Sequence, residues 1–250
     1  MNQIVVAGLW GLLGGSALLI GAAIGYAVRL PQRLISAVMA VGAGVLISAV
    51  AFDLMDEAFR RAGLPATAFG FLGGAIAYTA ANMVVSRLGA RHRKRSGHNP
   101  VERPAGGAGL AIAIGALLDG VPESVVIGVS LLEGAGVSLA MVAAVFLSNV
   151  PEGLSSAAGM KQAGKSRAYV FGVWGGIALA SGVAAAAGNA ALAGAAPALI
   201  AAITAVAAGA ILAMLVDTMI PEASESMHEA AGLITTIGFL AAFALSRLGG

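Results

Sequence analysis

Hydrophobic positions in this chain gather into long runs separated by short polar stretches. The ten-residue alternating segments of an outer-membrane barrel do not occur. Eight runs are long enough to cross about 30 Å of hydrocarbon, at roughly 20 residues each. They lie near 4–28, 34–58, 66–87, 107–130, 136–159, 167–188, 197–221 and 230–247. The divider between the sixth and seventh runs is taken from Gly188–Asn189 and Pro197. The opening MNQIVV has neither a basic leader nor a cleavage site, so it reads as the start of the first span. The pattern predicts an all-α polytopic membrane protein, one transmembrane domain over 1–250 with a single long polar loop at about 88–106.

Composition strengthens this reading. Only 10% of the 250 residues are charged, against 59% hydrophobic, and mean hydropathy is +0.92. A soluble domain carries about 25% charged residues, so this chain cannot coat a water-facing surface of its size. Aromatics are 5% and Gly numbers 36, which favours closely packed helices over bulky lipid-facing ones. The absence of Cys excludes disulfides and thiolate metal sites. A net charge of +2 gives no reason to expect a nucleic-acid partner; the bilayer is the expected one. The Gly/Ala-rich surfaces permit a homodimer.

An even number of spans places both termini on one side, and Lys and Arg decide which. Eleven basic residues fall in one set of connections: Arg29, Arg33, Arg87, Arg91, Arg93, Lys94, Arg95, Arg103, Lys161, Lys165 and Arg167. The other set holds three, Arg60, Arg61 and Arg247. Both termini are therefore expected outside a bacterial-type inner membrane, with the 88–106 loop in the cytoplasm. That loop carries His92 and His98 and reads either as a solvated linker that sets topology or as a collector of metal ions.

Two blocks recur. GAGVLISAVAFDLMDEA begins at Gly42 and AGAILAMLVDTMIPEA at Ala208; aligned on Gly44 and Gly209, each reaches a Glu after thirteen residues, Glu57 and Glu222. LLDGVPESVVIG (117–128) likewise matches FLSNVPEGLSSA (146–157). In the expected topology the members of each pair run in opposite directions. This suggests inverted halves, spans one to three and six to eight, around a central pair, as in secondary transporters.

The acids sharpen the picture. Asp53, Asp56, Glu57, Asp217, Glu222, Glu225 and Glu229 lie near span ends, where water is expected to reach them. Asp119, Glu123 and Glu152 fall inside apolar spans, where a charge costs about 2.5–3.5 kcal/mol on insertion scales. Spans four and five contain no Lys or Arg, so protonation, water or a bound cation must compensate. Asp119 and Glu123 are four apart and share a helix face, and Ser148 and Glu152 repeat that spacing. Pro122 and Pro151 each precede a Glu and remove the bond to the carbonyl four residues earlier, Leu118 or Leu147. Carboxylates, the Ser148 hydroxyl, the Asn149 amide and those carbonyls would make an oxygen-rich cage for a divalent cation. The alternative is a kinked helix pair with protonated acids bonded across it.

With DGVPES and SNVPEG in view, the chain resembles the ZIP (Zrt/Irt-like) family of divalent metal transporters. The resemblance implies eight spans in a 3+2+3 arrangement, termini outside, and a metal site on spans four and five, where the family carries HNxPEG-type motifs and a binuclear site. Asp119 and Gly120 stand where the family commonly has His and Asn, and Ser148 and Asn149 occupy the corresponding places on span five. Carried over, one site comprises Asp119, Glu123, Glu152 and Ser148. A second would keep Asn149 and share Glu152. Losing imidazole moves the set towards oxygen, so Mn²⁺ and Fe²⁺ join Zn²⁺, the family default, as candidate substrates. The resemblance also implies exit-side ligands at His228 and Glu229, with Glu222 and Glu225 nearby. A solvated helix end is the alternative there. At the other face Asp53 and Glu57 can recruit cations, or form an acidic helix end balanced by Arg60 and Arg61.

The expected function is transmembrane transport of divalent metal cations, not enzymatic catalysis, with the metal as substrate and no resident cofactor. Two other readings compete. One is an intramembrane hydrolase with Asp119 and Glu123 as an acid–base pair; it lacks a span-borne His, an HExxH motif and a GxGD motif. The other is a non-transporting sensor or structural relative.

Overall fold

The fold is taken from a computed structural model that describes residues 2–28, 30–87, 108–133, 137 and 139–248. The 88–106 loop, with His92, His98 and Glu102, lies outside the described residues, as does Arg29. The described residues are helical, with no strand among them. In chain order the helices are α1 (Gln3–Ala27), α2 (Gln32–Ala49), α3 (Met55–Val85), α4 (Ala108–Ser130), α5 (Leu139–Gln162), α6 (Arg167–Leu192), α7 (Pro197–Met214), α8 (Ile220–Met227) and α9 (Ala231–Leu248). Among the described residues, four stretches are long and apolar enough to cross a membrane: Gln3–Ala27, Gln32–Val85, Arg167–Leu192 and Pro197–Met227.

The expected boundaries hold to within a few residues, with informative exceptions. Gln32–Val85 is nearly continuous helix, but Gly63 breaks it with φ 72° and ψ 174°. Only glycine adopts that conformation cheaply, so the chain kinks inside α3 at the place where the divider between the second and third runs is expected. The divider expected at Gly188–Asn189 lies further on: both residues belong to α6, and the chain turns at Gly194 (φ 75°) before Pro197 opens α7. Pro suits a first helical turn because its missing N–H has no partner there anyway. The helices continue through Pro122 and Pro151.

Two π-helical turns, Val50–Leu54 after α2 and Leu215–Met219 after α7, widen the helix around Asp53 and Asp217. With Gly44 aligned on Gly209, the turns fall at matching positions. The packing repeats as well. A Cβ at Gly44 would overlap the Thr235 carbonyl of α9, and one at Gly209 would overlap the Phe71 carbonyl of α3. In the reverse sense, Gly238 meets the Val41 carbonyl and Gly74 the Val206 carbonyl. Each wide turn is tied to the helix its glycine touches: the Ser246 hydroxyl donates to Asp53 at 2.8 Å and the Asn82 amide to Asp217 at 3.0 Å. These contacts make α2–α9 and α3–α7 parallel pairs, related as two copies of one arrangement.

Helices α1, α4, α5 and α6 form the other packed group. α1 lies against α5 and α6, and α4 against α6. Gly21 meets the Val150 carbonyl, Gly153 the Leu18 carbonyl and Gly128 the Ala185 carbonyl. Small residues let the backbones approach this closely, and dispersion accumulates along the seam. The outward faces are apolar: Phe69 is 80% exposed and Ile76 and Val183 68% each, a surface suited to hydrocarbon.

Candidate metal centre

α4 and α5 carry the candidate site. Asp119, Glu123, Ser148, Asn149 and Glu152 are all buried, none more than 5% exposed. The face continues as Ser124 on α4 and as Ser155 and Ser156 on α5, also buried. Burial of so many polar groups in an apolar bundle is costly unless each is bonded, and the neighbouring helices supply partners. The Tyr78 hydroxyl of α3 donates to Oδ1 of Asp119 at 2.6 Å. The Asn149 amide nitrogen donates to the Gly14 carbonyl of α1 at 3.0 Å, so its oxygen is the atom that could meet a cation. The Ser148 hydroxyl donates to the Val145 carbonyl at 2.9 Å, and its lone pairs remain available to a cation. Gly42 of α2 lets that helix pass directly over Ser148 and Pro151.

Among the described residues, no three His, Asp or Glu side chains are gathered closely enough to hold one cation together. The candidate ligands share buried faces of two helices but are not drawn into a ready-made cage.

Glu222 departs from its expected place near water. It is 2% exposed, because α8 packs against α2. Its Oε1 accepts from Ser155 at 3.0 Å and lies 3.5 Å from the Gln32 amide nitrogen, while its backbone carbonyl accepts from Ser36 at 3.0 Å. Ser155 follows Glu152 by about one helical turn, so the buried acidic face of α5 runs on to Glu222. Glu225, His228 and Glu229 are exposed. Nδ1 of His228 lies 3.0 Å from the Ser224 carbonyl. A carbonyl only accepts, so Nδ1 is the donor in this contact.

At the opposite end, Asp53 and Glu57 line one cavity of about 210 Å³ together with Asp56, Arg60, Ser130 and Thr204. Two of its acids are balanced by arginine: Asp56 pairs with Arg60 at 2.7 Å, and Glu57 with Arg61. Asp53 instead takes the Ser246 hydroxyl. The helix-end reading therefore describes Glu57 better than Asp53. Ser130 and Val126 place α4 on the cavity wall, so the acidic end opens towards the helix that carries Glu123.

Sequence reasoning missed Tyr78. Its only signal was a hydroxyl-bearing ring in the Gly/Ala-rich third span, one turn before Asn82. No protein-family model and no curated protein matches the chain.

Proposed function

We propose that this chain carries divalent metal cations across the cell membrane through a site between α4 and α5. It crosses eight times with both termini outside, and its likeness to ZIP transporters reflects a common 3+2+3 plan. The observation that carries the reading is the burial of Asp119, Glu123 and Glu152 in a bundle whose fourth and fifth spans contain no Lys or Arg. Acids buried without a basic residue in their own spans mark an ion pathway.

Other features support it. An eight-span path makes α1 parallel to α5, α4 to α6, α2 to α9 and α3 to α7, which agrees with the contacts of each pair. Lys161 and Arg167 lie 5.3 and 5.7 Å from the Tyr26 ring, a basic and aromatic cluster of the kind found at a cytoplasmic interface. A cation reaching the site must draw the α4 and α5 carboxylates together, so occupancy couples to helix movement. The oxygen-rich set accepts Mn²⁺ and Fe²⁺ as well as Zn²⁺. The test is uptake of each metal by purified protein in sealed vesicles. Accumulation above that of empty vesicles is expected; none for any of the three would refute the reading.

A further inference from the structure

The repeat is broken at one place beside the site. Aligned on Gly74 and Gly238, Tyr78 of α3 corresponds to Ala242 of α9, and Asp119 corresponds to Ser148 in the central repeat. On one side, therefore, a tyrosine faces a carboxylate; on the other, an alanine takes the equivalent place opposite a serine-bearing helix. Tyr78 is 2% exposed and its hydroxyl donates to Asp119 at 2.6 Å. On the Ala242 side a cavity of about 240 Å³ remains, lined in part by Ala144, Leu147, Ala242 and Leu245. The hydroxyl is present where the carboxylate is, and absent where the carboxylate is replaced.

We propose that Tyr78 is a positioning and specificity-determining residue, which holds Asp119 so that it meets the transported cation through one oxygen. The inference rests on the transport reading above. The hydroxyl draws charge towards Oδ1, which makes that oxygen the poorer donor, and fixes the plane of the carboxylate. A buried ring packed between helices cannot swing aside without opening a void. Chelation by both oxygens would therefore require a short, buried hydrogen bond to lengthen. Ca²⁺ takes six to eight oxygens and commonly uses two-oxygen carboxylates. Smaller ions such as Mn²⁺ fill their shells with fewer, so a carboxylate restricted to one oxygen disfavours Ca²⁺.

The test uses the full chain in sealed vesicles and Tyr78→Phe, which removes the hydroxyl and keeps the ring. The readout is the ratio of the Ca²⁺ concentration that half-inhibits uptake to the Mn²⁺ concentration that half-saturates it. We expect that ratio to fall about tenfold, the low end of what groups holding metal ligands are worth. A purely structural loss would weaken both ions alike and leave the ratio unchanged. Infrared difference spectra with ¹³C-carboxyl-labelled aspartate give a second readout, since the chain has only four Asp, at 53, 56, 119 and 217. Asp119→Asn assigns the band. In the wild type, Mn²⁺ should give the wide separation of carboxylate stretches that marks one-oxygen coordination; in folded Tyr78→Phe the separation should narrow. A narrow separation in the wild type, an unchanged separation in the variant or an unchanged ratio would each overturn the inference while wild-type uptake left the transport reading standing. Wild-type vesicles that take up no metal would remove both.

Discussion

Asp119 and Ser148 stand at equivalent positions of the central repeat, and under the proposed likeness to ZIP transporters Asp119 takes the place of a His on span four. Oxygen at both positions favours ions that tolerate oxygen ligands, whereas imidazole suits the softer Zn²⁺. We expect Asp119→His combined with Ser148→His to raise the preference for Zn²⁺ over Mn²⁺ in competition uptake. An unchanged preference would show that these side chains do not touch the cation. The burial of the central acids was legible from sequence, because Asp119, Glu123 and Glu152 fall inside apolar runs. Glu222 was not, because its distance along the span suggested water. Its burial depends on α8 packing against α2 and on Ser155 of α5, contacts between residues far apart in the chain. Tyr78 was hidden for the same reason: its bond to Asp119 joins α3 to α4.

At the scale of the element, the helices are held by backbones that approach through glycine. At Gly209 an added Cβ would overlap the Phe71 carbonyl, whereas at Gly73 it would meet nothing within 4 Å. Gly209→Ala should therefore force α7 from α3 and destabilise the protein by about 1–3 kcal/mol or more. Gly73→Ala should be neutral, or stabilising by up to about 1 kcal/mol through helix propensity. Reversible unfolding in detergent measures both, and equal stabilities of the two variants would contradict the packing described. The repeat itself was legible in the Gly42 and Ala208 blocks, since glycine and acid recur at the same spacing. The π-helical turns were not, because nothing in VAFDL or LVDTM distinguishes a wide turn from an ordinary one before the turn is seen tied to its parallel neighbour.

For the whole molecule, two interlocked pairs, α2–α9 and α3–α7, stand beside the group formed by α1, α4, α5 and α6, and the candidate ligands sit on α4 and α5 within the second group. An all-helical fold was legible from run length alone, and most boundaries followed. The exception is Gly194, a turn within nearly continuous apolar sequence where polarity marks no edge, whereas the bend at Gly63 follows the charged stretch from Asp53 to Arg61. The eleven-to-three bias of Lys and Arg sets the expected orientation. Because the chain contains no Cys, cysteines introduced at Ser96 and Gly250 can be labelled without background. They should react from opposite sides of the membrane; reaction of both from one side would overturn the eight-span path.

If a divalent cation passes through the buried acids of α4 and α5, transport depends above all on Glu152. It is 5% exposed, follows Pro151 and lies one turn from both Ser148 and Ser155 on the same helix. Glu152→Gln preserves volume and removes the charge, and a neutral amide is easier to bury than a carboxylate. The variant should therefore insert and fold. Groups that merely hold metal ligands are worth about 10–100-fold in affinity or activity, so losing a ligand charge should cost at least as much. The decisive measurement is metal uptake by vesicles containing equal amounts of folded wild-type or Glu152→Gln protein, across a range of metal concentrations. The variant should lose nearly all uptake. Wild-type uptake by the folded variant at every concentration would contradict passage of the cation through these acids.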